Sequence, residues 1–412
     1  MIAFLGLSHL GLVTGVSWAS KFGETWGVDT SKKIILYPEP GLAELSKKYS
    51  KNYHRTTDFS LIRKSKIIFI TLDTPLASNS TKKLDSLIDK AIPNFGNNIV
   101  ICIMSQVSVG YTRNLSLRIT QKRPDVKFKL YYWLNTIIVG SAVERFLNPE
   151  RIIIGKEKQE TPIAPNLLHY LKKFRCPILE MNYESAELTK SAINLYLASS
   201  IITTNTIADY CEVVGADIKD ITKAMKLDAR IGAKAYLTPT LRISGGHLER
   251  EFIKLKKLAK AKKIKSGIVD ALTRLNERRF LWAVERINKL VSNKSIITIW
   301  GLAYKKNSDS TYNAPSIKLI TALNKNYSLQ TYDPIAKVPG HIKEYSRIDD
   351  KYEALRNTSC LLILTEWDEF KDFDLKKAKR IMKNKVIIDC VGILYDRKEE
   401  LNNFTYICMG LG

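Results

Sequence analysis

At 412 residues, with 45% hydrophobic and 26% charged residues, the chain is long enough for two or three well-filled domains and has an ordinary globular composition. No apolar run approaches bilayer thickness, and the opening Met1-Ile2-Ala3-Phe4-Leu5-Gly6 reads as a β-strand without a leader pattern, so no membrane partner is expected and a cytoplasmic address is the default. The formal charge of +24 raises nucleic-acid binding, but its densest run, residues 254–263, spaces lysines between leucine and alanine as a solvated helix face does, and nucleic acid is not an expected partner.

Taken in chain order, short β-branched runs come first. Residues 2–5, 67–70, 99–104 and 151–154 are predicted buried strands with helical stretches between several of them, the pattern of a parallel α/β sheet. From about Ser185 the texture changes. Residues 185–228 hold helical periodicity with no proline, residues 272–291 predict another long helix, and a Gly/Pro-containing loop falls near residues 239–246. Strands return at 295–300, 328–332, 360–364 and 385–389. The expected organisation is an α/β domain over residues 1–182, a helical domain over 183–290 and a smaller α/β domain over 291–412.

Candidate chemistry begins directly after the first strand. Gly6-Leu7-Ser8-His9-Leu10-Gly11 has the spacing of a dinucleotide-binding turn. Such a turn wants glycine first for the tight bend, glycine second so that backbone can approach pyrophosphate, and glycine third for close helix packing. Ser8 replaces the second. Gly27-Val28-Asp29 then places a carboxylate about where adenosine ribose hydroxyls are met, which favours the nucleotide reading over an ordinary βα turn. Cys102, Cys176, Cys211, Cys360, Cys390 and Cys408 are scattered without CxxC pairs, as reduced and mostly buried thiols are. The five histidines are equally dispersed, so no metal is expected.

Further motifs are more specific. Gly11-Leu12-Val13-Thr14-Gly15, Tyr37-Pro38-Glu39-Pro40-Gly41-Leu42 and Thr71-Leu72-Asp73-Thr74-Pro75 are followed by Ser105-Gln106-Val107-Ser108-Val109-Gly110-Tyr111-Thr112-Arg113. Gly140-Ser141-Ala142-Val143-Glu144-Arg145-Phe146-Leu147-Asn148-Pro149-Glu150-Arg151 closes the first part. Ser185-Ala186-Glu187-Leu188-Thr189-Lys190 with Asn194, Val214-Gly215-Ala216-Asp217 and Leu227-Asp228-Ala229-Arg230-Ile231-Gly232 lie in the helical middle. Gly301-Leu302-Ala303-Tyr304-Lys305, Tyr332-Asp333-Pro334, Leu364-Thr365-Glu366-Trp367-Asp368-Glu369-Phe370 and Phe404-Thr405-Tyr406 mark the last part. In this order, over nearly the whole chain, they resemble the UDP-glucose/GDP-mannose dehydrogenases, with the UDP-glucose branch nearest through residues 365–370.

The resemblance implies an N-terminal Rossmann-type domain that binds NAD, a central helical dimerisation domain and a C-terminal Rossmann-like domain for the UDP-sugar. It implies cofactor contacts from Gly6, Ser8, His9, Leu10, Gly11, Asp29, Thr74, Ser105 and Arg250. Substrate contacts would come from Lys190, Asn194, Arg230, Tyr236, Gly245, Gly246 and Lys305. A homodimer or larger homo-oligomer is implied, with Arg230 reaching a neighbouring subunit's site. The implied reaction is a two-step oxidation of the sugar C6 alcohol to a carboxylate, UDP-glucose to UDP-glucuronate as first choice, with one NAD reduced at each step. Lys190 and Asn194 sit four apart on one helix face and match the oxyanion-stabilising pair.

Departures from the pattern concentrate at the chemistry. Registering Arg250-Glu251 on the family's basic-acidic pair places His247 at the nucleophilic cysteine, and no cysteine lies between Cys211 and Cys360. Loop glycines give way to Thr240-Leu241-Arg242-Ile243, and two glutamates to Asn135 and Val139. Tyr312 and Val391 stand at two usual arginine positions, while Glu251 stands for the water-activating aspartate. One reading keeps activity, with Lys190, Asn194, His247 and Glu251 catalytic. The other is a catalytically impaired homologue that binds nucleotides or pairs with an active subunit.

Overall fold

A computed structural model of the chain describes residues 1–31, 39–74, 80–245, 247–343 and 345–412, with His247 as backbone only. Tyr37, Pro38, Pro75, Gly246 and the His247 side chain therefore lie outside the described residues. Two compact units divide the chain, Met1–Ala192 and Ile193–Gly412.

In the first unit the strands are β1 (Ile2–Leu5), β2 (Thr25–Val28), β3 (Tyr53–Thr56), β4 (Ile67–Ile70), β5 (Ile99–Ile103), β6 (Phe128–Trp133), β7 (Ile152–Lys156) and β8 (Ile178–Asn182). They form one sheet in the order β3-β2-β1-β4-β5-β6-β7-β8. Around it lie α1 (His9–Phe22), α2 (Leu42–Lys48), α3 (Lys82–Ala91), α4 (Tyr111–Lys122), α5 (Ala142–Leu147) and α6 (Pro165–Lys172). Every residue of β1, β4 and β5 is buried, as strands covered on both faces must be, which is why they read as unbroken apolar runs. Strand order reverses between β1 and β4, so the loops after these two strands meet at a topological switch point, where α/β sheets bind ligands.

The sheet is not wholly parallel as expected. β6 and β7 pair antiparallel, Tyr132 against Gly155 and Trp133 against Ile154. The chain between them, residues 134–151, carries only the six-residue α5.

α7 (Tyr183–Val214) begins in the first unit and continues into the second. There α8 (Ile218–Leu227), α9 (His247–Lys262), α10 (Gly267–Arg278) and α11 (Leu281–Leu290) follow. Gly215, with φ +73°, ends α7 in the left-handed conformation that favours glycine. The single helix expected over 272–291 is two. Trp282 N donates to Arg279 O and Ala283 N to Phe280 O, three-residue bonds that tighten the chain. That turn lets Arg279 reach Asp209 and the Trp282 indole reach Glu212, both on α7.

The second sheet uses β9 (Ile296–Trp300), β10 (Ser328–Tyr332), β11 (Ser346–Arg347), β12 (Cys360–Ile363), β13 (Val386–Asp389) and β14 (Thr405–Cys408). Its order is β11-β10-β9-β12-β13-β14, all parallel, with the switch point between β9 and β12. Trp300, stacked on Phe370 at 5.0 Å between ring centres, anchors the largest apolar cluster of this unit. Among the described residues no helix is long and apolar enough to cross a membrane.

Candidate active site

The turn between β1 and α1 is built on its two glycines. Gly6 has φ +98°, and a Cβ there would lie 2.7 Å from Leu72 Cβ. A Cβ on Gly11 would overlap the Gly6 carbonyl oxygen, so the third glycine is required for helix and strand to close on each other. Asp29 Oδ2 accepts from Leu7 N at 2.6 Å and Oδ1 from Thr30 N at 2.6 Å, while the carboxylate stays partly exposed at the end of β2.

Ser8 uses its hydroxyl inside the turn. It accepts from Asp73 N at 2.7 Å and donates to Thr71 O at 3.2 Å, linking the loops after β1 and β4. Asp73 Oδ2 in turn accepts from Leu10 N at 3.0 Å, in the first turn of α1. Thr74 Oγ1 donates to Gln106 O at 2.9 Å, and the buried Ser105 hydroxyl donates to Ile70 O at 3.3 Å. Both residues thus tie the ends of β4 and β5 together. His9 Nε2 pairs with Glu39 Oε2 at 2.9 Å, and the buried Glu39 carboxylate also accepts from Gly140 N at 3.0 Å and Ala142 N at 2.7 Å. A dinucleotide needs helix-terminal amides for its pyrophosphate and a carboxylate for its ribose. This turn supplies both, with Asp73 already on one amide.

The second domain repeats the turn but closes it. Gly301 has φ +91° and donates to Tyr332 O, and Leu302 N donates to Asp333 Oδ2 at 2.6 Å, as Leu7 does to Asp29. Asp333, however, is 3% exposed and accepts also from Ala303 N, Ile335 N, Ala336 N and the Trp367 indole. A carboxylate has about four acceptor positions, so none remains for a ribose. The dinucleotide belongs to the first domain. Thr365 Oγ1 donates to Ala303 O, so Thr365 and Trp367 hold this turn shut.

Lys190 and Asn194 lie one turn apart on α7, half-buried and buried respectively. The helix is fixed just before them by two carboxylates, Glu187 of the same motif and Glu184 just ahead of it. Glu187 accepts from Gly110 N at 2.6 Å, Thr112 N at 2.8 Å and Thr112 Oγ1 at 2.6 Å, capping the N-terminus of α4. Burial pushes its carboxyl upward, and these three donors pull it back only in part. Glu184 pairs with Arg113 at 2.6 Å.

In the second unit, α9 carries Arg250 and Glu251, both buried. Glu251 Oε1 lies 3.4 Å from Lys254 Nζ and 3.9 Å from Arg250 Nε, so the carboxylate is set among cations. Gly245, φ +75°, lies against the Tyr304 ring, where a Cβ would come within 2.8 Å. Arg230 is 89% exposed in its side chain and pairs with Asp228 of its own loop at 2.6 Å, and Tyr236 is 42% exposed. Lys305 lines a cavity of about 150 Å³ with Arg242, Ser244, Tyr304 and Val391. A neighbouring cavity of about 210 Å³ shares Thr238, Pro239, Cys390 and Val391 with it. In sequence Arg242 stands only as a lost loop glycine; its signal is an arginine gained here while another is missing after β13, at Val391, on the same cavity wall.

All six cysteines are free thiols, and all but the partly exposed Cys176 are buried. Burial pushes every one upward, Cys408 to about 12. The thiolate is the nucleophile, so none is poised for attack at neutral pH. Iodoacetamide at neutral pH should therefore leave dinucleotide reduction unchanged. Time-dependent inactivation that substrate prevents would show a reactive thiol at the site.

Two α/β nucleotide folds, an open dinucleotide turn in one and a sealed turn beside a lysine-lined cavity in the other, describe a dehydrogenase for nucleotide-linked substrates. Family models cover almost the whole chain: the UDP-glucose/GDP-mannose dehydrogenase NAD binding domain over residues 1–173, the central domain over 184–278 and the UDP binding domain over 298–396. The UDP-glucose 6-dehydrogenase TuaD of Bacillus subtilis (strain 168) is 31% identical, over 100% of this chain and 93% of its own length. A UDP-glucose 6-dehydrogenase of Rickettsia prowazekii (strain Madrid E) is 28% identical over 99% of both. The fold matches a solved UDP-glucose dehydrogenase from Pyrobaculum islandicum at TM-score 0.86 and 23% identity, over 100% of this chain and 97% of that one. It matches a UDP-D-ManNAc dehydrogenase from Pyrococcus horikoshii at TM-score 0.86 and 21% identity, over 100% of both chains. The chain belongs to the UDP-glucose/GDP-mannose dehydrogenase family, an NAD-dependent oxidoreductase family, and NAD is its cofactor.

Proposed function

We propose that this chain oxidises the C6 alcohol of a UDP-sugar to a carboxylate, with UDP-glucose the first choice. The observation that carries the reading is the retention of Lys190 and Asn194 on the stretch of α7 that Glu184 and Glu187 fasten to the first domain. An ammonium and a carboxamide there stabilise the alkoxide that forms as the hydroxyl loses its proton. Bound NAD supplies the hydride acceptor. With no cysteine at the family position, the aldehyde adds water instead of a thiol. The resulting gem-diol loses a proton and a hydride to become the carboxylic acid. Glu251 and His247 are the assigned water-positioning and base groups in that step.

The domains at 1–182, 183–290 and 291–412 and assembly as a homodimer belong to the same proposal. Tyr196, Tyr210, Val213 and Val214 of α7 are 68–85% exposed, an apolar face that fits a second copy. Light scattering checks the dimer; the mass of a single chain would contradict it.

The test of activity is NADH formation by purified protein with UDP-glucose, UDP-N-acetylglucosamine, UDP-N-acetylmannosamine and GDP-mannose. The expected result is two NADH per UDP-glucose consumed. Absence of NADH with all four, from protein that binds NAD, would overturn the reading.

A further inference from the structure

Arg242 lies in the loop ahead of α9, at a position where the family resemblance expects glycine. Its side chain is 4% exposed. It bonds through Nη2 to Glu249, and Glu249 also accepts from Asn313 Nδ2 and, at 3.5 Å, Asn276 Nδ2. The carboxylate is therefore largely occupied. Arg242 Nε and Nη1 are buried with no hydrogen-bond partner among the described residues. A guanidinium always carries its charge, and buried unspent N–H groups on it are costly unless an acceptor arrives.

Arg242 lines the same cavity of about 150 Å³ as Lys305, Ser244 and Val391. That volume suits a phosphate group rather than a whole nucleotide. The carboxylate on the cavity wall, Glu366, is exposed. The Lys318 ammonium is pushed downward first by burial and then by Arg242, against the opposing pull of Glu249 and Glu277. Val391 stands where the family resemblance expects an arginine that contacts the sugar nucleotide.

We propose that Arg242 binds the diphosphate of the nucleotide sugar, taking over from the arginine absent at 391. The assignment rests on the UDP-sugar reading above. The two unspent edges of the guanidinium donate to phosphate oxygens, with Lys305 as the second cation of the same cavity.

The experiment is calorimetric titration of the full chain and of R242K, R242Q and R242Q/V391R with uridine and with UDP. R242K keeps a cation for Glu249 but loses the planar donor edges, so it tests the inference even where R242Q unfolds. Each single variant should bind UDP about 10- to 100-fold more weakly, the loss expected for charged hydrogen bonds. Uridine, which lacks phosphate, should bind all variants alike, and the double variant should recover UDP affinity. UDP binding equal in wild type and R242K, with both folded by circular dichroism, would overturn the role of Arg242 and leave the functional reading standing. Wild-type protein that binds neither UDP nor UDP-glucose would overturn both.

Discussion

Replacing Lys190 by methionine should lower kcat for NADH formation by about 10²- to 10³-fold and leave KM for the UDP-sugar within a few-fold. The change keeps most of the side-chain volume and removes the ammonium. Lys190 sits three residues beyond Glu187, whose carboxylate is pinned by three donors at the start of α4. The charge is thus held by a helix with little freedom, so in the proposed reaction oxyanion stabilisation would not wait on reorganisation as the alkoxide forms. Kinetics in H₂O and D₂O, with melting curves for the variant, separate lost chemistry from lost folding. A KM that rises while kcat holds would reassign Lys190 to substrate binding.

Glu39→Ala should cost about 3–5 kcal/mol, the penalty for breaking a buried, hydrogen-bonded charge. The Glu39 side chain is 1% exposed and serves His9 Nε2, Gly140 N and Ala142 N together. Without it, two amides at the start of α5 and an imidazole in the first turn of α1 lose their acceptor. The melting temperature of the first domain should fall by roughly 10 °C, and NAD affinity should weaken because His9 belongs to the cofactor turn. Glu39→Gln, which keeps one acceptor oxygen, should lose less. Equal melting temperatures for wild type and Glu39→Ala would show that water replaces the carboxylate at no cost.

Much of this architecture is legible locally. Strands such as 67–70 and 99–103 announce themselves by apolar, β-branched runs because burial is a property of each residue. The glycine turn and the SAELTK stretch are likewise contiguous. Long-range pairings are not. Nothing beside β6 in sequence says that it runs antiparallel to β7, and nothing between 272 and 291 marks the break that lets Arg279 and Trp282 reach α7. Asp29 and Asp333 look equivalent as letters, each ending the second strand of a βα unit. Only the five donors around Asp333 show that its site is closed. Glu187 and Arg242 escaped for the same reason. Their roles depend on Gly110, Thr112 and Glu249 arriving from other elements.

Asp73 gives the cofactor turn an occupant of its own. Its carboxylate holds Leu10 N at 3.0 Å while Asp73 N holds the Ser8 hydroxyl at 2.7 Å, so one residue clips the loop after β4 onto the start of α1. In shape and charge the carboxylate is a stand-in for the pyrophosphate that such a helix end receives. Pyrophosphate arriving at that amide exchanges one anion for another, so apparent affinity is the intrinsic affinity multiplied by the fraction of molecules in which the side chain has already turned aside. The turn is kept in its folded form by a placeholder that the chain carries itself.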